Sequence, residues 1–207
     1  MDKKFLAARI YVAAFFVAVM SVAAGLVSAP ANAAPTIVLN AGEGYFPSQN
    51  GVIPQGTCSL TAFGSYQGKR VALTAGHCGA PGVFATTWSW QTFGKFIYTA
   101  SSPDHGFIEL YPNVKTVQPF TKIGSPHVGE PVSKLGNGLW TAGLGSGVIY
   151  AVGGDDVCTT VPTSFGDSGG PLFSGTNLIG IGSRLANAPC GVFEFSRADE
   201  IAGFTLG

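Results

Sequence analysis

The sequence predicts an all-β fold, a barrel or sandwich of many short antiparallel strands with little helix. Short runs rich in Val, Ile, Phe and Thr recur along the chain, and Gly, Pro, Asn and Ser interrupt nearly every gap between them. With 30 Gly and 13 Pro among 207 residues, turns come too often for long helices.

Taken in order, the chain opens on Lys3, Lys4 and Arg9, then the apolar run IYVAAFFVAVMSVAAGLVSA, then Ala31-Asn32-Ala33 before Ala34. A positive end, an apolar core and an A-x-A site are the order of a cleavable secretory signal, so residues 1–33 are expected to be removed on export. A membrane anchor is the competing reading, because the run approaches the length of a span. The strand candidates follow: RVALTA, GVFATTW, TFGKFIY, HGFIEL, EPVSKL, SGVIYAV, LIGIGS and GVFEF. The Pro-containing YPNVKTVQPF, 111–120, is the expected connection between two halves. One helix is expected, a short C-terminal one in SRADEIAGF, with Ser196 as its cap and Asp199 in its first turn.

Cleavage after Ala33 leaves residues 34–207, enough for one domain with a core of its own. It also removes Asp2, Lys3, Lys4 and Arg9 from eleven acidic and eleven basic residues, leaving ten and eight, a net charge of −2. No basic surface for nucleic acid follows from that balance, and no second apolar run could span a bilayer. A secreted, extracellular monomer acting on other molecules is the expectation. Four cysteines, Cys58, Cys78, Cys158 and Cys190, travel with the exported part, where disulfides persist. Three pairings are possible, and the split between two chain halves favours Cys58 with Cys78 and Cys158 with Cys190. Zinc is the alternative, but no C-x-x-C or H-x-x-x-H spacing is present and no metal is expected.

The chemistry centres on TSFGDSGGPLF, which places Ser168 between Asp167 and two glycines. A serine hydroxyl is a weak nucleophile until a base takes its proton and N–H donors face the developing oxyanion. Gly166 and Gly169 permit a tight turn in which the N–H groups of Gly166 and Ser168 converge as that oxyanion hole. Of the three histidines, His77 in the strand-like LTAGHC is the candidate base, its place fixed by the neighbouring cysteine; His105 follows an acid and His127 lies in a turn. A neutral imidazole acting as base needs a carboxylate on its other nitrogen. Asp104, Glu109, Glu130, Asp155 and Asp156 lie between His77 and Ser168. Asp104, opening PDHGFIEL at the start of a strand, is the expected partner, whereas Asp155 and Asp156 sit in a glycine loop. A calcium site there would rest on two carboxylates alone.

LTAGHC, PDHGFIEL and GDSGGP, in the order His, Asp, Ser, resemble the chymotrypsin-like serine proteases, most of all the compact bacterial branch of the streptogrisins and α-lytic protease. The resemblance covers essentially all of 34–207. It implies two packed six-stranded antiparallel β-barrels, the first about 34–115 and the second about 120–207, with His77 and Asp104 from the first and Ser168 from the second. It implies the same two disulfides, no cofactor, and a serine endopeptidase that cleaves protein or peptide through an acyl-enzyme. A non-catalytic binding protein on this fold and an esterase with the same triad are the alternatives.

Departures from the family's pattern accompany it. The bacterial branch carries an Arg after a Cys in the second barrel, paired with the acid before the serine. Here VSKLG supplies Ser133 and Lys134, so a structural pair between Lys134 and Asp167 is expected; the partner position of that Cys is Ser146. The substrate-binding strand, normally close to Ser-Trp-Gly, reads Ser183, Arg184 and Leu185. Pro162, before Thr163, falls where trypsin-like members place the acid that reads basic side chains. Pro162, Thr163, Ser183 and Arg184 are therefore the expected substrate-binding residues, with basic side chains disfavoured.

Overall fold

The computed structural model describes residues 34–184, 190 and 193–207, with the backbone alone for Arg184. The leader 1–33, Leu185 and the first two residues of GVFEF lie outside the described residues. In chain order the strands are β1 (Ile37–Asn40), β2 (Gly44–Ser48), β3 (Cys58–Ser59), β4 (Ala62–Tyr66), β5 (Lys69–Thr74), β6 (Phe84–Thr86), β7 (Thr92–Ser101), β8 (Asp104–Leu110) and β9 (Val114–Val117). They continue with β10 (Lys122–Ile123), β11 (Pro131–Gly136), β12 (Gly143–Gly153), β13 (Asp156–Thr159), β14 (Pro171–Ser174), β15 (Asn177–Arg184), β16 (Glu194–Arg197) and β17 (Phe204–Leu206). The expected all-β class holds, and the one helical element among the described residues is a single 3₁₀ turn, Gly76–Cys78.

Two sheets carry the fold. The first runs β17-β4-β5-β8-β7-β6-β2-β3 and curls back toward its start, because β3 and β4 are separated only by Leu60 and Thr61. Leu60 donates to Glu43 beside β2, while Thr61 donates to Leu73 in β5, so adjacent residues face opposite ends of the sheet. In the second, β15-β14-β11-β12-β13-β16 closes into a six-strand ring through a further β15–β16 pairing, with β10 added outside. Parallel β1 and β9 form a separate pair, which places a strand inside the expected connection 111–120.

Period-2 alternation shows in β1 and β11, whereas β5 and β8 are buried in continuous runs. In β11 the alternation turns Val132, Lys134 and Gly136 inward and leaves Ser133 and Leu135 half-covered, so a lysine is committed to the interior by its register. Tyr45, Leu60, Leu73, Phe93, Phe96, Phe107 and Ile108 fill the first core, and Val132, Ile149, Val157, Leu172, Ile179 and Phe195 the second. Each such side chain contributes about 1.5–3 kcal/mol through removal from water.

The C-terminal segment departs from expectation. SRADEIAGF is not a helix: Ser196 and Arg197 end β16, turns follow, and Phe204 opens β17. Six residues between two strands leave too little chain for helix nucleation to be recovered. The Ser196 hydroxyl accepts the N–H of Asp104 instead of capping, and Asp199 takes the Arg197 guanidinium at 2.8 and 3.0 Å. Strand β17 belongs to the first sheet, past the division expected near 115–120, since Phe204 stacks on Phe107 and β17 pairs with β4. Gly64 lets the two backbones meet, as a Cβ there would lie 2.1 Å from the Thr205 carbonyl oxygen.

Disulfides join Cys58 to Cys78 and Cys158 to Cys190. At the place of the bacterial branch's further bridge, Ser133 and Ser146 face each other across β11 and β12, their hydroxyls 2.9 Å apart. Mass spectrometry of an unreduced digest is expected to return those two cross-linked peptides and no free thiol; a peptide joining Cys78 to Cys158 would contradict the two-sheet layout.

Candidate active site

The chain places His77 by ending β5 at Thr74 and entering the 3₁₀ turn, with Cys78 anchored to β3 by its disulfide. The turn lies so close to β7 and β8 that a Cβ on Gly76 would stand 2.1 Å from the Ala100 carbonyl oxygen. One residue then meets both oxygens of Asp104: His77 Nδ1 is 2.7 Å from Oδ2, and the His77 N–H donates to Oδ1 at 3.0 Å. Facing a carboxylate, which only accepts, Nδ1 is the ring nitrogen placed to donate.

Asp104 opens β8 and is 4 % exposed. From the second sheet, the Ser183 hydroxyl donates to Oδ2 at 2.8 Å, and the Asp104 N–H donates to the Ser196 hydroxyl at 3.1 Å. Burial pushes the Asp104 carboxyl up. The hydrogen bond and charge of the His77 ring, with the bonds from Ser183 and the His77 N–H, outweigh it and hold the carboxyl below its ordinary range.

The segment bearing Ser168 is bent by Gly166 at φ +102° and Gly169 at φ +84°, a region that side chains with a Cβ disfavour. A Cβ on Gly166 would also fall 2.4 Å from the Asn137 carbonyl oxygen. Ser59 ties the loop to the first sheet: its N–H donates to the Ser168 carbonyl and its hydroxyl to the Gly166 carbonyl, both at 2.7 Å. Those bonds hold the two carbonyls toward Ser59. Among the described residues, the N–H groups of Gly166 and Ser168 donate to no backbone carbonyl.

Behind the turn, Lys134 and Asp167 pair at 2.6 Å, 1 % and 3 % exposed. Their remaining polar capacity is used as well. Oδ1 of Asp167 accepts the Gly138 N–H at 2.9 Å, and Oδ2 accepts the Ser164 N–H at 3.0 Å and the Thr141 hydroxyl. Lys134 Nζ also donates to the Thr141 carbonyl. Gly138 and Gly136 let the carboxylate approach, since a Cβ at either would stand 2.2–2.3 Å from an Asp167 oxygen.

His77, Asp104, Gly166, Ser168 and Ser183 line one cleft of about 990 Å³, bordered by Gln55–Cys58, Thr99–Ser101 and Phe165. Thr163 and Ser183 line a smaller recess beside Ser168 with Ser164, Gly182 and the buried Glu194. Pro162 is exposed and lines neither. Of Arg184 the backbone is described, paired with Glu194, and its side chain lies outside the described residues. Sequence reasoning passed over Ser59, Thr141, Ser164 and Glu194 and gave Ser196 a different role: isolated polar residues carry no motif, and only the fold reveals their partners. Cys58, His77 and Cys78 form a grouping of potential metal ligands, but the two sulfurs are joined in a disulfide and only the imidazole is left for an ion.

No protein-family model matches the chain. It is 32 % identical over 159 residues to serine protease 2 of Streptomyces fradiae, covering 62 % of this chain and 86 % of that protein. Streptogrisin-A of Streptomyces griseus is 29 % identical over 148 residues, covering 61 % of this chain and 47 % of that protein. Among solved structures, Thermobifida fusca protease A shares the fold at a TM-score of 0.65 and 20 % identity, over 82 % of this chain and all of that one. The chain belongs to the chymotrypsin-like serine proteases, in the bacterial branch of the streptogrisins and α-lytic protease, and is a serine-type peptidase.

Proposed function

We propose that the chain is exported by its leader 1–33, released as a monomer comprising residues 34–207, and cleaves peptide bonds internally through an acyl-enzyme on Ser168. The observation that carries this reading is the 2.7 Å approach of His77 Nδ1 to the buried Asp104 at the wall of the cleft that holds Ser168. His77 Nε2 takes the Ser168 proton as Oγ attacks the carbonyl carbon, then returns it to the leaving nitrogen; Asp104 stabilises the imidazolium formed between these steps. The N–H groups of Gly166 and Ser168 hold the oxyanion. Water repeats the cycle on the acyl-enzyme and restores Ser168. Thr163 and Ser183 flank Ser168 where the acyl side chain enters, and β15 continues past Ser183 as the edge along which the acyl chain docks. Protein or peptide is the substrate class of the family, and two disulfides suit an extracellular site of action.

The Lys134–Asp167 pair holds the oxyanion turn in its working shape from inside the fold. Activity then requires export and folding, and no cut before Ile37.

Three outcomes test these assignments. A fluorophosphonate is expected to label Ser168 stoichiometrically, and Ser168→Ala to abolish the label and lower kcat by about 10⁴-fold or more while melting like wild type. Label on another residue, or comparable turnover by the purified variant, would contradict the nucleophile.

Because Asp104 is held below the ordinary carboxylate value of about 3.9, it stays ionised at every pH above that value. The acid limb of kcat/KM above that value is therefore expected to have a slope of one, with no contribution from Asp104. Asp104 binds its proton less readily folded than unfolded, so its contribution to stability is present above its unfolded pKa and is lost as pH falls through the folded one. A rate that is flat down to about pH 4, or a slope of two above it, would remove this assignment.

Lys134→Met leaves Asp167 buried without its cation. It is expected to cost about 3–5 kcal/mol in denaturant unfolding and most of the activity, while extra residues before Ala34 leave activity intact. A fully active Lys134→Met, or activity appearing only after cleavage before Ile37, would overturn the account of activation.

A further inference from the structure

Leu139, Trp140 and Phe165 are 68 %, 79 % and 72 % exposed, among the most exposed large apolar side chains described. They project from adjoining backbone. The Leu139 N–H donates to the Phe165 carbonyl at 2.8 Å, and the Trp140 N–H donates to the Ser164 hydroxyl at 3.2 Å. Phe165 lines the catalytic cleft immediately before Gly166, and Leu139 and Trp140 stand on backbone bonded to Phe165 and Ser164. The loop under them is fixed, since Thr141 bonds both Ser164 and Asp167 and thereby hangs from the buried Lys134 pair. Nor is charge available nearby in sequence: residues 135–154 and 157–166 contain no Asp, Glu, Lys, Arg or His. Single exposed apolar residues are ordinary, but several from adjoining backbone, rigidly held at the edge of a reaction site, mark a surface that is covered in use.

We propose that Leu139, Trp140 and Phe165 form an apolar rim that binds the leaving-group side of the substrate, selecting polypeptides with a large apolar side chain within two residues after the scissile bond. The inference rests on the endopeptidase reading above. Ser183 and the end of β15 lie on the Gly169 side of Ser168, where Gly169 donates to the Gly182 carbonyl at 2.7 Å. With the acyl chain along β15, the Gly166 side, which carries Phe165, is left for the departing segment. An uncharged rim complements an uncharged apolar side chain, and its rigidity reduces the entropy lost on binding. An acidic side chain at those substrate positions would be desolvated against it without a partner.

The test uses the exported full chain and peptides that share an acyl portion taken from a peptide-library profile and carry Phe, Leu, Gly or Asp at the first or second position after the cleaved bond. Fluorophosphonate titration counts competent sites, so kcat/KM is compared per active enzyme. Phe or Leu is expected to exceed Gly by about tenfold or more at one of the two positions, with Asp poorest. Trp140→Ser and Leu139→Ser, each active by titration, are expected to shrink that ratio severalfold. Equal kcat/KM across the series, or variants that keep the full ratio, overturn the rim. A flat series together with binding of wild type, and not Trp140→Ser, to phosphatidylcholine vesicles or to a second copy overturns it in favour of another occupant. Absence of the label overturns the endopeptidase reading and the rim with it; a stoichiometric label with a flat series overturns the rim alone.

Discussion

A carboxylate stands 3 % exposed behind the serine turn, and the geometry of the cleft depends on what makes that tolerable. An unpaired charge in such a place costs several kcal/mol, enough to push the turn outward or to protonate the acid. The inward register of β11 delivers Lys134 to it, and the Gly138, Ser164 and Thr141 donors take up the remaining lone pairs. With the pair in place, the buried charge behind the 164–169 backbone is matched by donors on every side that the hydrogen bonds reach. The rim loop 137–141 hangs from the same carboxylate, so the serine turn and the proposed leaving-group surface share one support.

The site forms where the two sheets meet, and its contacts alternate between them. His77 and Asp104 come from the first, Ser168, Ser183 and Ser196 from the second, and each side orients groups of the other. Ser59 is the clearest case. It belongs to β3, yet it holds the carbonyls of Gly166 and Ser168 and, through its hydroxyl, the Asn137 N–H at 2.9 Å. Those bonds fix the direction of both carbonyls from the first sheet. Thr61 adds a bond from its hydroxyl to the Gly169 carbonyl, so the loop is braced from the first sheet along its length.

The strand content was legible because short runs rich in Val, Ile, Phe and Thr, broken by turn residues, leave a local trace, and the approach of His77 to Asp104 was expected because an imidazole proposed as a base needs a carboxylate on its other nitrogen. Lys134 could be singled out only through resemblance, since one lysine in a strand carries no local sign of being buried. Ser196 reads locally as a helix cap. The N–H of Asp104, 92 residues away in sequence, claims its hydroxyl, and a nearby acid in SRADEIAGF is not enough to start a helix. Pro162, picked out by analogy of position, stands exposed outside the recess that Thr163 and Glu194 line. Recess walls come from β15, β16 and the serine loop together, and no single stretch of sequence announces them. The branch's missing bridge is a subtler case: Ser133 and Ser146 keep the cross-strand positions of a disulfide and use a hydrogen bond there.

Covalent turnover at Ser168 is the central claim, and trapping the intermediate tests it most directly. The chain would be mixed with a peptide ester, quenched in acid within the first turnover, and its intact mass and digest measured. The account predicts a mass increase equal to the acyl group, located on the peptide that contains Ser168 and absent after turnover is complete. Sustained cleavage with no acyl adduct in the first turnover, or an adduct carried by another residue, would contradict it.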